Sequence, residues 1–249
     1  MSAPVFFHPA VASATVGDLV ELQGAEGRHA VSALRVTVGE RIELVDGAGT
    51  RAQSVVSSVA GREVCVVRIE RLQVDQEPDL RFVVAQALLK GEHDERAVDL
   101  MTQVGVDAII PLQSDRCVVR WDEDRAAKGR ARWESAAGAA ARQARRARWP
   151  EILDPIDPVA LGAECAAADL ALLLDPGAST AIGDLTLPQR GTILVVVGPE
   201  GGFTEAEVSL LRSSGATPTR LGPQVLRGSA AGLAALAALS AVGRWRDPS

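Results

Sequence analysis

Two short apolar segments, each running into a glycine–proline bend, constrain this chain more than any other feature of its sequence. The first reads TILVVVGPEGGF, from Thr192 to Phe203, and the second reads LGPQVLR, from Leu221 to Arg227. Glycine has no Cβ, so the backbone of each loop can approach a flat ligand closely, and proline stiffens the bends by fixing φ. Neither loop has the spacing of the glycine motifs that hold nucleotide phosphates. The pattern therefore predicts a pocket built largely from backbone.

Apolar segments in the second half of the chain predict a parallel β-sheet with both faces covered. Leu170–Leu174 and Ile193–Val197 are continuously apolar, as strands of such sheets are. A capping box at Thr204–Glu207 predicts the start of a helix. Because ligands of open α/β sheets bind beyond the carboxyl ends of the strands, both glycine–proline loops are expected at a binding edge. The other predicted elements are strands over 81–88, 106–112 and 217–221 and helices over 92–104 and 230–242.

The first seventy or so residues have the pattern of a small β-barrel. Gly39–Val59 alternates apolar and polar residues around a glycine-containing turn, which predicts a hairpin, and Glu63–Leu72 is a further strand candidate. Gly27–Val36 is predicted to form one or two helical turns. The polar segment Gln73–Asp79 contains a proline and is the best boundary. We therefore predict a β-barrel domain over residues 1–74 and an α/β domain over residues 79–249.

The charge is distributed unevenly along the chain. Ten Lys or Arg and four Asp or Glu lie between Arg116 and Arg148, a balance of +6, so the rest carries −12 of the net −6. Within this stretch Arg125–Arg148 is predicted as one long helix. A concentrated basic stripe on an acidic protein is typical of a phosphate-binding surface. The alternative is a solvated helix face.

Cysteine usage and hydropathy exclude several classes of protein. Cys65, Cys117 and Cys165 are isolated, without CxxC spacing, which argues against zinc sites and a disulfide framework and suits a reducing cytoplasm. No segment is apolar for long enough to span a bilayer. The N-terminal residues MSAPVFFHPA lack the basic and apolar regions of a secretion signal. We expect a cytoplasmic protein with no metal and no membrane partner.

These motifs resemble those of the bacterial 16S ribosomal RNA uridine-1498 N3-methyltransferases, a family of the knotted SPOUT class. The resemblance rests on GPEGGF and LGPQVLR, on the runs Arg28–Gly49 and Lys90–Cys117, and on RQARRARWPEI at Arg142–Ile152. It implies a PUA-like barrel followed by a SPOUT α/β domain with a parallel sheet and a trefoil knot. It also implies a homodimer that uses S-adenosylmethionine to methylate N3 of a uridine in 16S rRNA, within the small ribosomal subunit.

The resemblance carries binding roles onto particular residues. The cofactor pocket is expected to be lined by the end of one strand and by both loops, at Leu174, Asp175, Gly198, Pro199, Glu200, Gly201, Gly202, Leu221, Gly222, Val225 and Leu226. RNA contacts are expected from basic residues of the barrel and of the basic stripe, at Arg28, His29, Arg35, Arg116, Arg142, Arg145, Arg146 and Arg148. Arg146 is the strongest of these because it matches the family's arginine. Solvation of a surface helix is the alternative for the stripe.

Arg227 and Glu200 are the catalytic candidates. Uridine N3 must lose a proton before it attacks a methyl group, and a fixed positive charge on Arg227 would favour the resulting anion. Arg227 could instead anchor the loop by binding its carbonyl groups. Glu200 is the nearest candidate base, although a glutamate in a glycine loop commonly caps backbone N–H groups. Ser229 is predicted as the N-cap of the last helix.

Two other functions remain open from the sequence. A SPOUT methyltransferase could act on another nucleotide, for example on a ribose 2′-hydroxyl of tRNA or rRNA. A non-catalytic RNA-binding or ribosome-assembly module is also conceivable, because Arg227 is followed by Gly228, Ser229 and Ala230, where the family usually has Thr-Glu-Thr. That difference removes an acidic side chain from the region of the candidate site.

Overall fold

The computed structural model describes residues 3–245. The chain forms two compact units that are interleaved along the sequence. The first, here called the β unit, comprises the residues up to Glu77 together with Ala141–Trp149. The second, the α/β unit, comprises Pro78–Ala140 and the residues from Pro150 onward. The sequence predicted two contiguous domains, so the return of residues 141–149 to the first unit was not foreseen.

The β unit is built on a five-stranded sheet. Its strands are β1 (Val5–Phe7), β2 (Leu19–Leu22), β3 (Arg41–Val45), β4 (Thr50–Ala60) and β5 (Val64–Val74), in the spatial order β1-β3-β4-β5-β2. β1 pairs with β3 in parallel and the other pairs are antiparallel. Alternate residues point into a core that includes Phe6, Leu22, Leu44 and Val67, all fully buried. The predicted hairpin over 39–59 is confirmed as β3 and β4.

The helical segment of the β unit depends on one glycine. Helix α1 (Gly24–Arg28) continues into a π-helical turn at His29–Ala33, where one or two turns were predicted. A Cβ on Gly27 would lie 1.9 Å from the carbonyl oxygen of Glu63 and 2.7 Å from that of Leu22. Only glycine therefore allows α1 to pack directly against the backbone of the sheet.

The α/β unit contains a seven-stranded sheet whose neighbouring strands are all parallel, as predicted. The spatial order is β10-β12-β9-β11-β6-β7-β8. The strands are β6 (Leu80–Ala87), β7 (Ala108–Leu112), β8 (Glu151–Ile152), β9 (Leu170–Leu174), β10 (Thr180–Ala181), β11 (Gly191–Val197) and β12 (Thr217–Arg220). The helices are α2 (His93–Gln103), α3 (Glu123–Gln143), α4 (Pro158–Ala167), α5 (Glu205–Ser213) and α6 (Gly228–Val242).

Both faces of this sheet are covered, which explains its continuously apolar strands. Leu172 and Val195 face a core that also contains residues of α2, α3 and α6. Leu173 and Val196 face a second core that contains Leu161 of α4 and other residues of α4 and α5. None of the helices described within residues 3–245 is long and apolar enough to cross a membrane.

Arg244, just beyond α6, is bonded to the amino-terminal side of the sheet. Its Nε donates to the carbonyl oxygen of Leu80 (2.8 Å) and its Nη1 to that of Gly105 (2.7 Å). Nη2 pairs with the carboxylate of Asp107, and the guanidinium lies 4.2 Å from the centre of the Phe82 ring. The end of the described chain is thus fixed to β6 and to the residues that precede β7.

The long basic helix ends earlier than predicted. The sequence predicted a helix to Arg148, but α3 ends at Gln143 and Arg145 adopts a φ of 57°. A left-handed non-glycine residue interrupts the helix, since L-residues do not continue a helix in that conformation. The chain then joins the β unit, where the backbone N–H of Trp149 donates to the carbonyl oxygen of Gly47 (2.8 Å). The Trp149 ring packs on Phe7 with ring centres 4.6 Å apart.

Candidate active site

A cavity of about 750 Å³ lies in the α/β unit, beyond the carboxyl ends of neighbouring strands. β12, β9, β11 and β6 are adjacent in the sheet, so the loops that follow them meet at one edge. Those loops supply most of the lining, and the strand ends together with residues of α2, α5 and α6 supply the rest. The glycine–proline loops after β11 and β12 were predicted to lie at such an edge, and both do.

Ten of the eleven residues predicted for the pocket line this cavity, namely Leu174, Asp175, Gly198, Pro199, Glu200, Gly202, Leu221, Gly222, Val225 and Leu226. Gly201 is the exception and does not belong to the lining. A Cβ on Gly201 would instead lie 3.5 Å from the Cβ of Arg116. Gly201 therefore faces Arg116 instead of the cavity, unlike the residues on either side of it.

The loop after β11 depends on its glycines. Gly202 has a φ of +67°, a conformation that L-residues with a side chain rarely adopt, and its N–H donates to the carbonyl oxygen of Pro199 (2.9 Å). A Cβ on Gly198 would lie 2.9 Å from the ring of Phe203. Both residues line the cavity, so this wall consists largely of backbone. α5 then begins with the predicted capping box, which is confirmed at Thr204 and Glu207.

Glu200 is tied to the loop after β6. Its Oε1 accepts a hydrogen bond from the backbone N–H of Lys90 (3.2 Å). This contact is the structural role that the sequence offered as the alternative to general base catalysis. It joins two loops of the cavity wall, because Lys90 also lines the cavity.

Arg227 lies at the cavity with an exposed side chain. Its backbone carbonyl accepts from the N–H groups of Ala230 (2.8 Å) and Ala231 (3.0 Å), so Arg227 is itself the N-cap of α6. Its guanidinium has no hydrogen-bond or salt-bridge partner within residues 3–245. The anchoring of loop carbonyls is therefore not what this side chain does. The prediction that Ser229 caps α6 is wrong: Ser229 lies inside the first turn and is buried.

The sequence did not single out several residues that line the cavity. They include Leu89, Lys90, His93, Phe203, Thr219 and Gln224. Lys90 lies in the loop between β6 and α2, and His93 is the first residue of α2, so both follow the carboxyl end of a strand that the sequence did predict. The rule that ligands bind beyond such ends was sufficient to find them. No cluster of three or more His, Cys, Asp or Glu side chains suited to a metal ion occurs among residues 3–245.

A buried carboxyl group follows His93 directly. Asp94 is 2% exposed in the first turn of α2, and its Oδ1 accepts from the backbone N–H of Glu95 (2.8 Å). Burial raises the pKa of Asp94, because it disfavours the charged form more than this hydrogen bond favours it. Burial likewise raises the pKa of the Cys165 thiol to about 11, which keeps it protonated and unreactive at neutral pH.

Several arginines predicted to contact RNA are engaged within the β unit. Arg142 lies 5.5 Å from the centre of the Trp149 ring and 3.6 Å from the Glu26 carboxylate. Arg148 donates to the carbonyl oxygen of Asp75 (3.2 Å) and lies 3.5 Å from the Glu77 carboxylate. A Cβ on Gly49 would lie 2.5 Å from the Arg148 guanidinium, so a glycine there makes room for it. These contacts hold the returning segment, Ala141–Trp149, to the rest of the β unit.

The other predicted RNA-binding residues differ in how many contacts they make with the rest of the protein. In the β unit, Arg28 lies 3.5 Å from Glu63 with both side chains more than half exposed, and His29 contacts the edge of Phe6. Arg35 and Arg145 are exposed and both have a φ of 57°. The backbone N–H of Arg146 donates to the carbonyl oxygen of Ala141 (2.8 Å). In the α/β unit, Arg116 donates to the carbonyl oxygen of Gly201 (3.0 Å).

Comparison with known protein families agrees with this architecture. The sequence model of an RNA methyltransferase domain matches residues 76–240, and that of an RNA methyltransferase PUA domain matches residues 22–70. The neighbours among solved structures described below extend over nearly the whole chain. The fold and the site therefore define the class of RNA methyltransferases that carry a PUA domain.

Individual relatives show which family within this class the chain belongs to. The ribosomal RNA small subunit methyltransferase E of Mycobacterium bovis is 39% identical over 240 residues, which cover 92% of this chain and 89% of the relative. The enzyme of that name from Neisseria gonorrhoeae, solved with S-adenosyl methionine bound, is 28% identical, has a TM-score of 0.85 and aligns over 97% of this chain and 98% of its own. A Legionella pneumophila methyltransferase solved with bound SAM is 31% identical, with a TM-score of 0.86 and coverage of 98% and 99%. The chain belongs to the ribosomal RNA small subunit methyltransferase E family.

Proposed function

We propose that this protein transfers a methyl group from S-adenosylmethionine to N3 of a uridine in 16S rRNA of the small ribosomal subunit, at the family's target position 1498. The observation that carries the proposal is the cavity at the two glycine–proline loops, with Arg227 at its wall and no partner for the Arg227 guanidinium within residues 3–245. Its residues match the family's most specific motifs. Since bacterial rRNA is cytoplasmic, we expect the protein there.

The cavity fits S-adenosylmethionine in size and in chemistry. Its volume of about 750 Å³ is in the range of pockets that enclose ligands of this size. Gly202 and Gly222 line it, and apart from the chain neighbours of each glycine no atom of residues 3–245 lies closer than 3.8 Å to the position of a Cβ on either. Backbone N–H and C=O groups at strand ends suit an adenine edge, and the carboxylate of Asp175 suits a hydroxyl or ammonium group. These residues would hold the cofactor.

Catalysis in this arrangement is mainly positioning and electrostatics. S-adenosylmethionine supplies an electrophilic methyl group when bound. The two glycine–proline loops orient the ligand and exclude water from the reacting atoms. The guanidinium of Arg227 stabilises the negative charge that develops on uridine when N3 loses its proton. Glu200 is bonded to Lys90 N–H, so we assign it a positioning role and leave the acceptor of the proton to be identified.

The RNA partner and a second copy of the chain have separate candidate surfaces. The exposed Arg35 and Arg145, together with Arg28, His29 and Arg146, are proposed to contact rRNA phosphates. α6 presents a partly exposed face of alanine and leucine, at Ala230, Leu233, Ala234, Ala237 and Ala238. Such a small apolar face suits close packing of two copies, so we propose a homodimer through α6.

Methyl transfer to small ribosomal subunits that lack the modification tests this proposal. Labelled S-adenosylmethionine is supplied, and the rRNA is digested to nucleosides. We expect the label in 3-methyluridine. Label in a ribose-methylated nucleoside would indicate a methyltransferase for another target. Cofactor binding without any label would favour a binding module, in which the Gly228–Ala230 segment has lost the chemistry.

Replacement of Arg227 tests the electrostatic role separately. Arg227→Ala is expected to lower kcat roughly a hundredfold, as loss of one donor to a developing anion does. Arg227→Lys keeps the positive charge and should retain a larger part of the activity. Single-turnover rates with saturating cofactor and subunits give the comparison. Equal rates for Arg227→Ala and the unaltered protein would remove Arg227 from the reaction.

A further inference from the structure

The segment after β7 contacts both the glycine loop of the cavity, Gly198–Gly202, and the helix α5 that follows it. Nη1 of Arg116 donates to the carbonyl oxygen of Gly201 (3.0 Å). The backbone N–H of Asp115 donates to Oε1 of Glu207 (2.9 Å), in the first turn of α5. The first contact lies within the loop and the second lies in the helix that follows it. The segment is therefore fixed to the loop and to the start of α5.

Glu207 makes the second contact strong. The residue is 4% exposed, and its Oε2 accepts from the N–H (2.7 Å) and from the hydroxyl (2.9 Å) of Thr204. With Asp115 N–H on Oε1, the buried carboxylate has donors on both oxygens at the amino end of a helix, where negative charge is favoured. The same side chain therefore caps α5 and fixes α5 to the segment after β7.

The segment itself is well fixed. Ser114 is fully buried, and its carbonyl oxygen accepts from the N–H of Cys117 (3.1 Å) in a tight turn. Nη2 of Arg120 donates to the carbonyl oxygen of Asp115 (2.8 Å). Because the core and this turn fix the segment after β7, its contacts can restrain the glycine loop.

The glycine loop needs such a support on one particular side. Gly201 does not line the cavity, and its Cβ position would lie 3.5 Å from the Cβ and 3.7 Å from the Cδ of Arg116. Gly198 and Gly202 on either side of it do line the cavity. A loop with three glycines has little conformational preference of its own. Arg116 thus backs the loop on the face opposite to the ligand.

We propose that Arg116 is a positioning residue of the cofactor loop, which holds Gly198–Gly202 in the binding shape before the cofactor arrives, and that this replaces its expected role as an RNA contact. The role rests on the proposed function in one respect, that the cavity binds S-adenosylmethionine. Nη1 of the guanidinium donates to the Gly201 carbonyl oxygen, and the aliphatic part of the Arg116 side chain lies next to the position that a Cβ of Gly201 would take.

Cofactor affinity in the absence of RNA separates the two roles. Arg116→Met keeps the stem and removes the donors, and calorimetry with S-adenosylmethionine alone is expected to give a Kd roughly three- to tenfold higher. Arg116→Lys retains a donor and should stay closer to the unaltered protein. Arg125→Ala is the control, since Arg125 is an exposed arginine of α3 whose guanidinium pairs, among residues 3–245, with Asp122 alone at 3.5 Å. An unchanged Kd for Arg116→Met would overturn the proposal.

Amide hydrogen exchange of the cofactor-free protein gives a second readout that does not depend on ligand. Peptides covering 198–204 should exchange faster in Arg116→Met than in the unaltered protein, with Arg116→Lys between them, while peptides from β11 stay unchanged. Equal exchange in all three would overturn the positioning role. If the unaltered protein shows no cofactor binding, the proposed function fails, and loop exchange still decides whether Arg116 holds the loop.

Discussion

The cavity of the α/β unit is lined by loops at strand ends that contain four glycines, whereas the arginine-rich segment of the β unit is formed by long side chains. In the cavity, strand ends and glycine conformations determine where each group lies, and ten of eleven predicted residues line it. In the β unit, Arg142 and Arg148 bind groups of their own unit instead of facing solvent alone. A motif fixed by backbone geometry can be placed from sequence, while the direction of a long charged side chain depends on partners that are distant in the chain.

The largest effect is expected at Gly202, a glycine of the cavity wall. Gly202→Val places a β-branched residue at a φ of +67°, which such residues avoid, and next to the cavity. We expect affinity for S-adenosylmethionine to fall roughly a hundredfold, equivalent to about 3 kcal/mol, while the protein stays folded. Gly183→Val, at an exposed glycine with no protein atom within 4 Å of its Cβ position, is the control. Calorimetry that shows equal affinity for both variants would contradict a backbone-lined site.

An engaged arginine of the β unit should matter for stability more than for RNA. Arg148→Met removes the bond to Asp75 and the charge near Glu77 but keeps most of the volume. Because the side chain is about 29% exposed, we expect the free energy of unfolding to fall by only about 1 kcal/mol. Urea denaturation measures this. A variant as stable as the unaltered protein but with weaker rRNA binding would instead place Arg148 on the RNA.

An exposed arginine of the same unit should show the opposite behaviour. Arg35→Asn removes a charge at a residue whose left-handed backbone asparagine also tolerates. We expect weaker binding to small-subunit rRNA and a salt dependence reduced by about one phosphate contact, with stability and cofactor affinity unchanged. Binding titrations at several salt concentrations give the slope. An unchanged slope would leave Arg35 as a solvated surface residue.

The smallest expected effect comes from the buried carboxyl beside the cavity. Since burial raises the pKa of Asp94 above its ordinary value, the folded state holds its proton more tightly than the unfolded state. The stability contributed by the protonated carboxyl is therefore present at low pH and lost as pH rises through the folded pKa. Asp94→Asn should stabilise the protein at pH 7, and the gain should shrink toward pH 4. Asp99→Asn, which removes a carboxylate that accepts from Gln103 at 3.0 Å on the same helix, is the control substitution.

The predictable parts of the fold are those that local pattern determines. The predicted strands match β6, β7, β9, β11 and β12 closely, and the capping box fixed the start of α5, whereas the two-residue strands β8 and β10 were not predicted. The end of α3 was missed because Arg145 carries no sequence signal for a left-handed conformation. Ser229 was wrongly predicted as the N-cap, because α6 begins two residues earlier than expected. Arg227 is the N-cap, and it makes no side-chain hydrogen bond to the helix. The trefoil knot implied by the family resemblance stays a prediction.

The returning segment has a consequence for how the protein is made. Trp149 and Arg148 bind groups of the β unit that lie between Phe7 and Glu77. A chain that emerges from the ribosome in order cannot complete its first unit until residue 149 has been synthesised, well after the strands of that unit are available. A fragment cut after Glu77 lacks these partners and leaves the Phe7 ring without its neighbour. The β unit can therefore be completed only after residues beyond α3 have been synthesised. Its assembly is thus coupled to synthesis of more than half of the protein.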